Sequence, residues 1–286
     1  MLPLHGYKDA VLEWLSKRGC GSLSPQVCAV FSESSFEPGQ AGLADYFDSG
    51  AHISWLAGPG ISGIDWPRNT SGEMLAHVAT FCLSDAQLHP ETRASWGDDL
   101  DLPSGFLEIY HDLQTYGDDP ADRNERGWLV RYIPDVTGLH LVNEAVGLDP
   151  VSGDECQQGL MMPGFTLPTF EDLPTNSAVT FDQWESCFEE LEAEWHLQRF
   201  GVNADSQIPY SHLGGHSAHG KSAVFALLHE VLPLGDGDEH YLLASFESWT
   251  TLNGWFGDAG TLEVWIRKQD LAQQRFDEAW CLIRND

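Results

Sequence analysis

A chain of 286 residues with 42% hydrophobic and 11% aromatic content, including 11 Trp, carries enough apolar material for a sizeable core. That excludes global disorder and low-complexity architectures. Against 14 Lys+Arg stand 44 Asp+Glu, a net charge of -30, so bare DNA or RNA would be repelled and a basic protein partner is favoured. No apolar run approaches the ~18 residues of a transmembrane helix. The opening Met1–Asp9 has no basic stretch ahead of an apolar one, so a cytoplasmic location is expected. The six cysteines form no C-x-x-C pair and are expected to be reduced thiols.

In chain order, residues 8–18 read as a short amphipathic helix, with Val11, Leu12, Trp14 and Leu15 as its apolar positions and Gly19 and Gly21 ending it. Residues 33–72 are rich in Gly, Ser and Pro and read as loops with brief ordered pieces. The runs 75–83, 105–110 and 127–133 read as strands, the last stopped by Pro134. Residues 180–200 make the clearest helix. Thr180 and Gln183 offer a capping box, and Phe181, Trp184, Phe188, Leu191 and Trp195 recur at helical spacing, so they are expected to face the core. A turn-rich stretch, 201–222, follows. Residues 224–232 suit helix or strand, 240–246 and 261–266 suit strands, and a short helix near 268–274 and a strand at 280–283 finish the chain. No internal repeat stands out. Grouped strands with few helices, lacking βαβ alternation, indicate a β-rich α+β fold with antiparallel, coiled sheets.

The sharpest local pattern, Gly215-His-Ser-Ala-His-Gly220-Lys221-Ser222, satisfies G-x-x-x-x-G-K-[ST], the phosphate-cradling loop. Such a loop needs a buried strand before it and a helix after it, yet the preceding residues include Pro209 and are largely polar. His212, His216 and His219 are spaced closely enough to suggest a metal, but no cysteine or carboxylate accompanies them in that segment. Asp98-Asp99-Leu100-Asp101 and Asp236-Gly237-Asp238-Glu239 lack the twelve-residue calcium-loop pattern. There is no G-x-S-x-G elbow. No catalytic residue, metal or cofactor is therefore assigned, and an enzyme is not the leading expectation.

The acids themselves are unevenly placed. Residues 85–125 hold eleven acids and two bases, and 182–194 hold six acids and no base. Such fields steer a basic partner, although they also serve solubility. The candidate partner-binding residues are Asp98, Asp99, Asp101, Asp118, Asp119 and Asp122 in the first stretch and Glu185, Glu189 and Glu192 in the second.

Several segments together resemble the YwqG-like family of bacterial proteins. They are Trp66-Pro67-Arg68 with Ser71–Ala79, Leu102–Tyr110, Arg131–Pro134, His212-Leu213-Gly214-Gly215, and Trp255-Phe256-Gly257-Asp258-Ala259-Gly260 running into Thr261–Ile266. His216-Ser217 departs from the family's usual aromatic–Pro pair. The resemblance covers about residues 61–286 as one compact β-rich domain, leaving 1–60 as an N-terminal helical and loop elaboration. It implies coiled sheets with a few helices, and structural roles for His212, Gly214, Gly215, Trp255, Gly257, Asp258 and Gly260. It also implies a neighbourhood of polymorphic toxins. The expectation is an immunity protein that occludes a basic toxin domain, such as a nuclease, through its acidic surface, with no direct nucleic-acid or membrane contact. The alternative is a small-ligand protein or enzyme, binding a nucleotide or metal, that uses the 212–222 Gly/His loop.

Overall fold

The computed structural model describes residues 8–33, 42–86, 102–142, 156–200, 211–248, 252, 254–257 and 260–285. Twelve strands are present among them: β1 (Gln26–Glu33), β2 (Ser54–Leu56), β3 (Gly60–Ile61), β4 (Ala76–Cys82), β5 (Phe106–His111), β6 (Trp128–Ile133), β7 (Leu141–Val142), β8 (Gln157–Thr166), β9 (His212–Gly214), β10 (His240–Glu247), β11 (Thr261–Arg267) and β12 (Trp280–Arg284). Ten form one sheet in the order β12-β11-β10-β9-β1-β8-β2-β4-β5-β6, every pairing antiparallel; β3 and β7 form a separate pair. The β-rich architecture expected from the sequence is the one observed.

The sheet curls until its far ends meet. Phe81 of β4 stacks on Phe246 of β10 with ring centroids 5.4 Å apart. Trp128 of β6 meets Trp280 of β12 edge to face at 4.9 Å. The Ile283 N–H donates to the Tyr116 carbonyl at 2.8 Å, and the Trp280 indole to Gly117 O at 2.8 Å. The result is a nearly closed barrel whose interior is a single large apolar cluster running from Val11 to Ile283.

The strand order is palindromic, and the register shows why. In β4 and β5 the pairs are Ala79↔Ile109, Thr80↔Glu108 and Phe81↔Leu107; in β10 and β11 they are Ala244↔Val264, Ser245↔Glu263 and Phe246↔Leu262. Both ladders shift register at the same place, between His77 and Ala79 and between Leu242 and Ala244. Leu56↔Ala79 in the first half matches Leu213↔Ala244 in the second. The Ser54 hydroxyl accepts from the Cys82 N–H as Ser211 accepts from Glu247. Chain reversal after each short strand uses two successive left-handed residues, Ala57 and Gly58 in one half and Gly214 and Gly215 in the other. A Cβ on Gly58 would meet Cys156 Sγ at 2.7 Å, and one on Gly215 would meet Cys28 Cβ at 3.1 Å.

The molecule is thus two pseudo-equivalent halves, β1-β2-β4-β5-β6 and β8-β9-β10-β11-β12, related about the Ser32↔Leu160 pair of the β1–β8 ladder. Their first strands are exchanged: β1 pairs with β9 of the second half, and β8 with β2 of the first. The expectation of no internal repeat is corrected accordingly. What repeats is the register and a few short strings, Leu107-Glu-Ile-Tyr110 against Leu262-Glu-Val-Trp265 and Ala79-Thr-Phe81 against Ala244-Ser-Phe246, while the connections differ in length.

Helices are few. Lys8–Lys17 and Phe181–Phe200 match the sequence expectation, and residues 225–231 resolve as helix. The capping box forms as read, with Thr180 N–H donating to Gln183 Oε1 at 3.0 Å and Gln183 N–H to Thr180 Oγ1 at 3.3 Å. Cys20 and Cys187 are joined as a disulfide, whereas Cys28, Cys82, Cys156 and Cys281 are free. The expectation of six free thiols is corrected for that pair, because the end of the first helix packs on the second helix, where Arg18 also pairs with Glu190 at 2.6 Å. Among the described residues no helix is long and apolar enough to cross a membrane.

Candidate functional site

The two halves each bury a glutamate on the strand after the register shift. In the first, Glu108 is fully buried; it takes the Ile61 N–H at 2.6 Å, the Tyr110 hydroxyl at 3.1 Å and the Arg131 guanidinium at 3.1 Å. Burial pushes its carboxyl up, against the pull of those donors. In the second half, Glu263 is fully buried; it accepts from the Ser217 hydroxyl, from Trp265 Nε1 at 2.9 Å and from Arg284 at 3.5 Å. Each carboxylate therefore has an aromatic donor two residues on and an arginine from the next strand. A buried carboxylate survives in this setting only with such partners.

Beyond that shared skeleton the halves diverge. A Cβ on Gly60 would meet the Tyr110 hydroxyl at 2.1 Å, so the first half has no room there. Trp66 closes it further: its ring stands edge to face on Tyr110 at 5.3 Å, and its indole N–H donates to the Leu75 carbonyl at 2.8 Å. At the position of Leu75 the second half has His240, whose carbonyl accepts from Lys221 Nζ at 2.9 Å. A lysine thus takes the donor role of an indole, and the ring has no counterpart. In its place is a cavity of about 530 Å³, lined among others by Gly215, His216, Ser217, Lys221, Tyr241 and Trp265.

This cavity sits at the glycine loop that the sequence singled out. As a phosphate loop requires, a strand precedes it (β9) and a helical turn follows. Its amides are already engaged, however: the Lys221 and Ser222 N–H groups donate to the Asp172 carboxylate at 2.8 and 2.7 Å. An anion-binding nest has formed, and a side chain of the same molecule fills it. Lys221 itself is half-buried. Burial pushes its pKa down, while the Glu239 and Asp172 charges pull it up. His216, bonded through Nδ1 to Thr166 Oγ1 at 3.1 Å, is pushed down to about 4 by burial and is neutral at pH 7. His212 is buried in β9, with Nδ1 2.7 Å from Gly214 O. Among the described residues no group of three or more His, Cys, Asp or Glu is placed to hold a metal ion.

The other residues singled out by the sequence are spread widely. Trp255 is buried, and Gly257 and Gly260 shape the turn before β11, their carbonyls accepting from the Ser248 hydroxyl at 2.7 and 3.0 Å. Asp258 lies outside the described residues, as do Asp98, Asp99 and Asp101. Asp118 is exposed. Asp119 accepts the Ala121 N–H at 2.8 Å and Asp122 the Gly117 N–H at 2.8 Å, so both hold their own turn. Glu185 and Glu189 are exposed on the Phe181–Phe200 helix; Glu192 is on the same helix, its side chain outside the described residues.

That helix carries a feature that periodicity misassigned. Phe181 does not face the core but is 46% exposed. It packs against Phe170 at 5.3 Å and Trp184 at 5.8 Å, and Trp184 stacks on Phe188 at 5.2 Å. Trp184 and Phe188 pack against the core while Phe181 stays exposed, so the aromatic row is only partly covered. Exposed Asp182, Glu185 and Glu189 flank it.

Lys221 was singled out as the lysine of the phosphate-loop pattern, whereas Trp66 and the buried glutamates were not assigned roles from sequence. The repeated Leu-Glu-[Ile/Val]-[Tyr/Trp] string was the signal that could have found the latter. One protein family, described as a domain of unknown function (DUF1963), matches residues 61–284. No curated protein matches the chain.

Proposed function

This chain belongs to the DUF1963 family, and we propose that it acts as an immunity protein, neutralising a basic toxin domain by stoichiometric occlusion. The observation that carries this reading is the half-exposed row Phe170-Phe181-Trp184-Phe188, flanked by Asp182, Glu185 and Glu189. Aromatic anchors within a charged rim are the composition of an interaction hot spot. A net charge of -30 adds steering toward a basic cleft, such as that of a nuclease. The family resemblance to proteins found near polymorphic toxins supports the same reading, and the proposal places its action in the cytoplasm, where such a toxin would meet its target.

The test is capture of partners from the source lysate at low salt with release at high salt, followed by co-expression of the captured protein with this chain. A single near-stoichiometric basic partner is expected, toxic alone and harmless when co-expressed. Phe181→Ala combined with Glu185→Lys and Glu189→Lys is expected to remove that protection while leaving the thermal midpoint in place. Full protection by the triple variant would remove this face from the proposal. A second reading, small-ligand binding at the 212–222 loop, is favoured by the cavity that the loop lines.

A further inference from the structure

The two halves offer an internal control. In the first, the Trp66 indole bonds the Leu75 carbonyl and stands edge to face on Tyr110, while His77 packs on the same Tyr110 ring and bonds the Ala57 carbonyl. In the second, the equivalent carbonyl, the equivalent glycine reversal and the equivalent aromatic, Trp265, all line open space. Resting on the small-ligand reading, we propose that this cavity receives a small planar ring bearing one anionic group, a carboxylate or a phosphate. The ring takes the place that Trp66 fills in the other half, and Lys221 holds the anion.

Three observations support the anionic part. Only four lysines occur in the chain, and two of them, Lys221 and Lys268, line this one cavity. Lys268 is paired with Glu239. Lys221 is half-buried, yet among the described residues no carboxylate stands within ion-pair distance of it, in a chain holding 44 acids. Its ammonium spends one of three donors, on the His240 carbonyl. Asp172 and Glu239 share the cavity lining and act on Lys221 at longer range, with the Asp172 oxygens bonded to the Lys221 and Ser222 amides and Glu239 paired with Lys268.

The planar part rests on shape. A volume of about 530 Å³ suits a small organic molecule and far exceeds what a bare ion requires. Trp265, almost fully buried and bonded to Glu263, is a fixed part of the cavity wall.

The experiment is isothermal titration calorimetry on the full chain. Two whole probes, indole-3-acetate and adenosine monophosphate, are compared with their parts: acetate, inorganic phosphate, indole and adenosine. At least one whole probe is expected to bind at least about tenfold more tightly than either of its parts. Preference between the two whole probes identifies the source as an aromatic acid or a nucleotide. Lys221→Ala is expected to weaken binding at least about tenfold, as loss of a charge-assisted bond would. Lys221→Trp, which installs the first half's residue, is expected to abolish it while leaving the circular dichroism spectrum unchanged. If a bare anion binds as tightly as the whole probes, the planar-ring inference falls and the small-ligand reading stands. If no probe binds, or if Lys221→Trp leaves affinity intact, this cavity is not the site and both fall.

Discussion

The first half of the molecule and the second were built on one plan and put to different uses. Both bury a glutamate, satisfy it with an aromatic donor and an arginine, and turn the chain on two left-handed residues. The first then seals its site with Gly60, Tyr110 and Trp66. The second places Ser217 where Gly60 was and Lys221 in the donor role of Trp66, and remains open. What the halves share identifies the scaffold, and where they part identifies the residues released from it.

The strongest way to break that comparison is to remove the shared carboxylates. Glu108→Ala and Glu263→Ala each strand a partly buried arginine and a buried aromatic donor, and each is expected to cost about 3–5 kcal/mol in urea unfolding. A much smaller loss at one of them would mean that the halves share a backbone but not an energetic core. The comparison sharpens at the residues that differ. Trp66→Ala should cost about 3 kcal/mol, because it empties a packed site, whereas Lys221→Ala should stay within about 1 kcal/mol, because its site is already open. Equal losses would make Lys221 structural.

A further effect is in pH. His77 is fully enclosed, with Nδ1 at 3.1 Å from Ala57 O and Nε2 at 2.8 Å from Thr80 Oγ1, and burial lowers it to about 4, as it does His216. In the unfolded chain both would ionise near 6.5. Below that value the unfolded state holds more protons, so stability is full above pH 6.5 and falls as pH drops toward 4. Between pH 6.5 and 5 each histidine should remove up to roughly 2 kcal/mol, read as a falling urea midpoint. His77→Gln should flatten the slope by about one proton.

Much of the sheet was legible because its strands are ordinary ones. β4, β5, β6, β10, β11 and β12 all emerge from apolar runs or alternation. The two exchanged strands and the short ones at their sides did not. β8 contains Gly159, Pro163 and Gly164, which argue against a central strand. Pro163 is tolerated because β2 covers only Gln157–Gly159, leaving its missing N–H without a ladder to break. Gly159 is required, since a Cβ there would meet Ser32 O at 2.4 Å. β9 is three residues long and ends in glycine, so it reads as part of a turn. The loop at 212–222 was recognised as unusual, but not its chemistry, because the carboxylate that fills its amides lies some fifty residues earlier in the chain. The cavity depends on residues from β1, β10, β11 and the loop after β9 that meet only in the folded chain.

The exchange of β1 and β8 has a consequence for how the chain is born. On the ribosome, Val27 leaves the exit tunnel long before its partner Phe165 has been made, and longer still before the β9 residues that flank its other side. An eight-residue strand keeps both edges unpaired until more than half of the chain has been made. Pairings this remote in sequence fold slowly and expose sticky edges meanwhile. Neither half completes its sheet without the other's first strand, so the nascent protein commits late and as a whole. Stalling or truncation after residue 142 would leave a half whose own first strand has no place to dock.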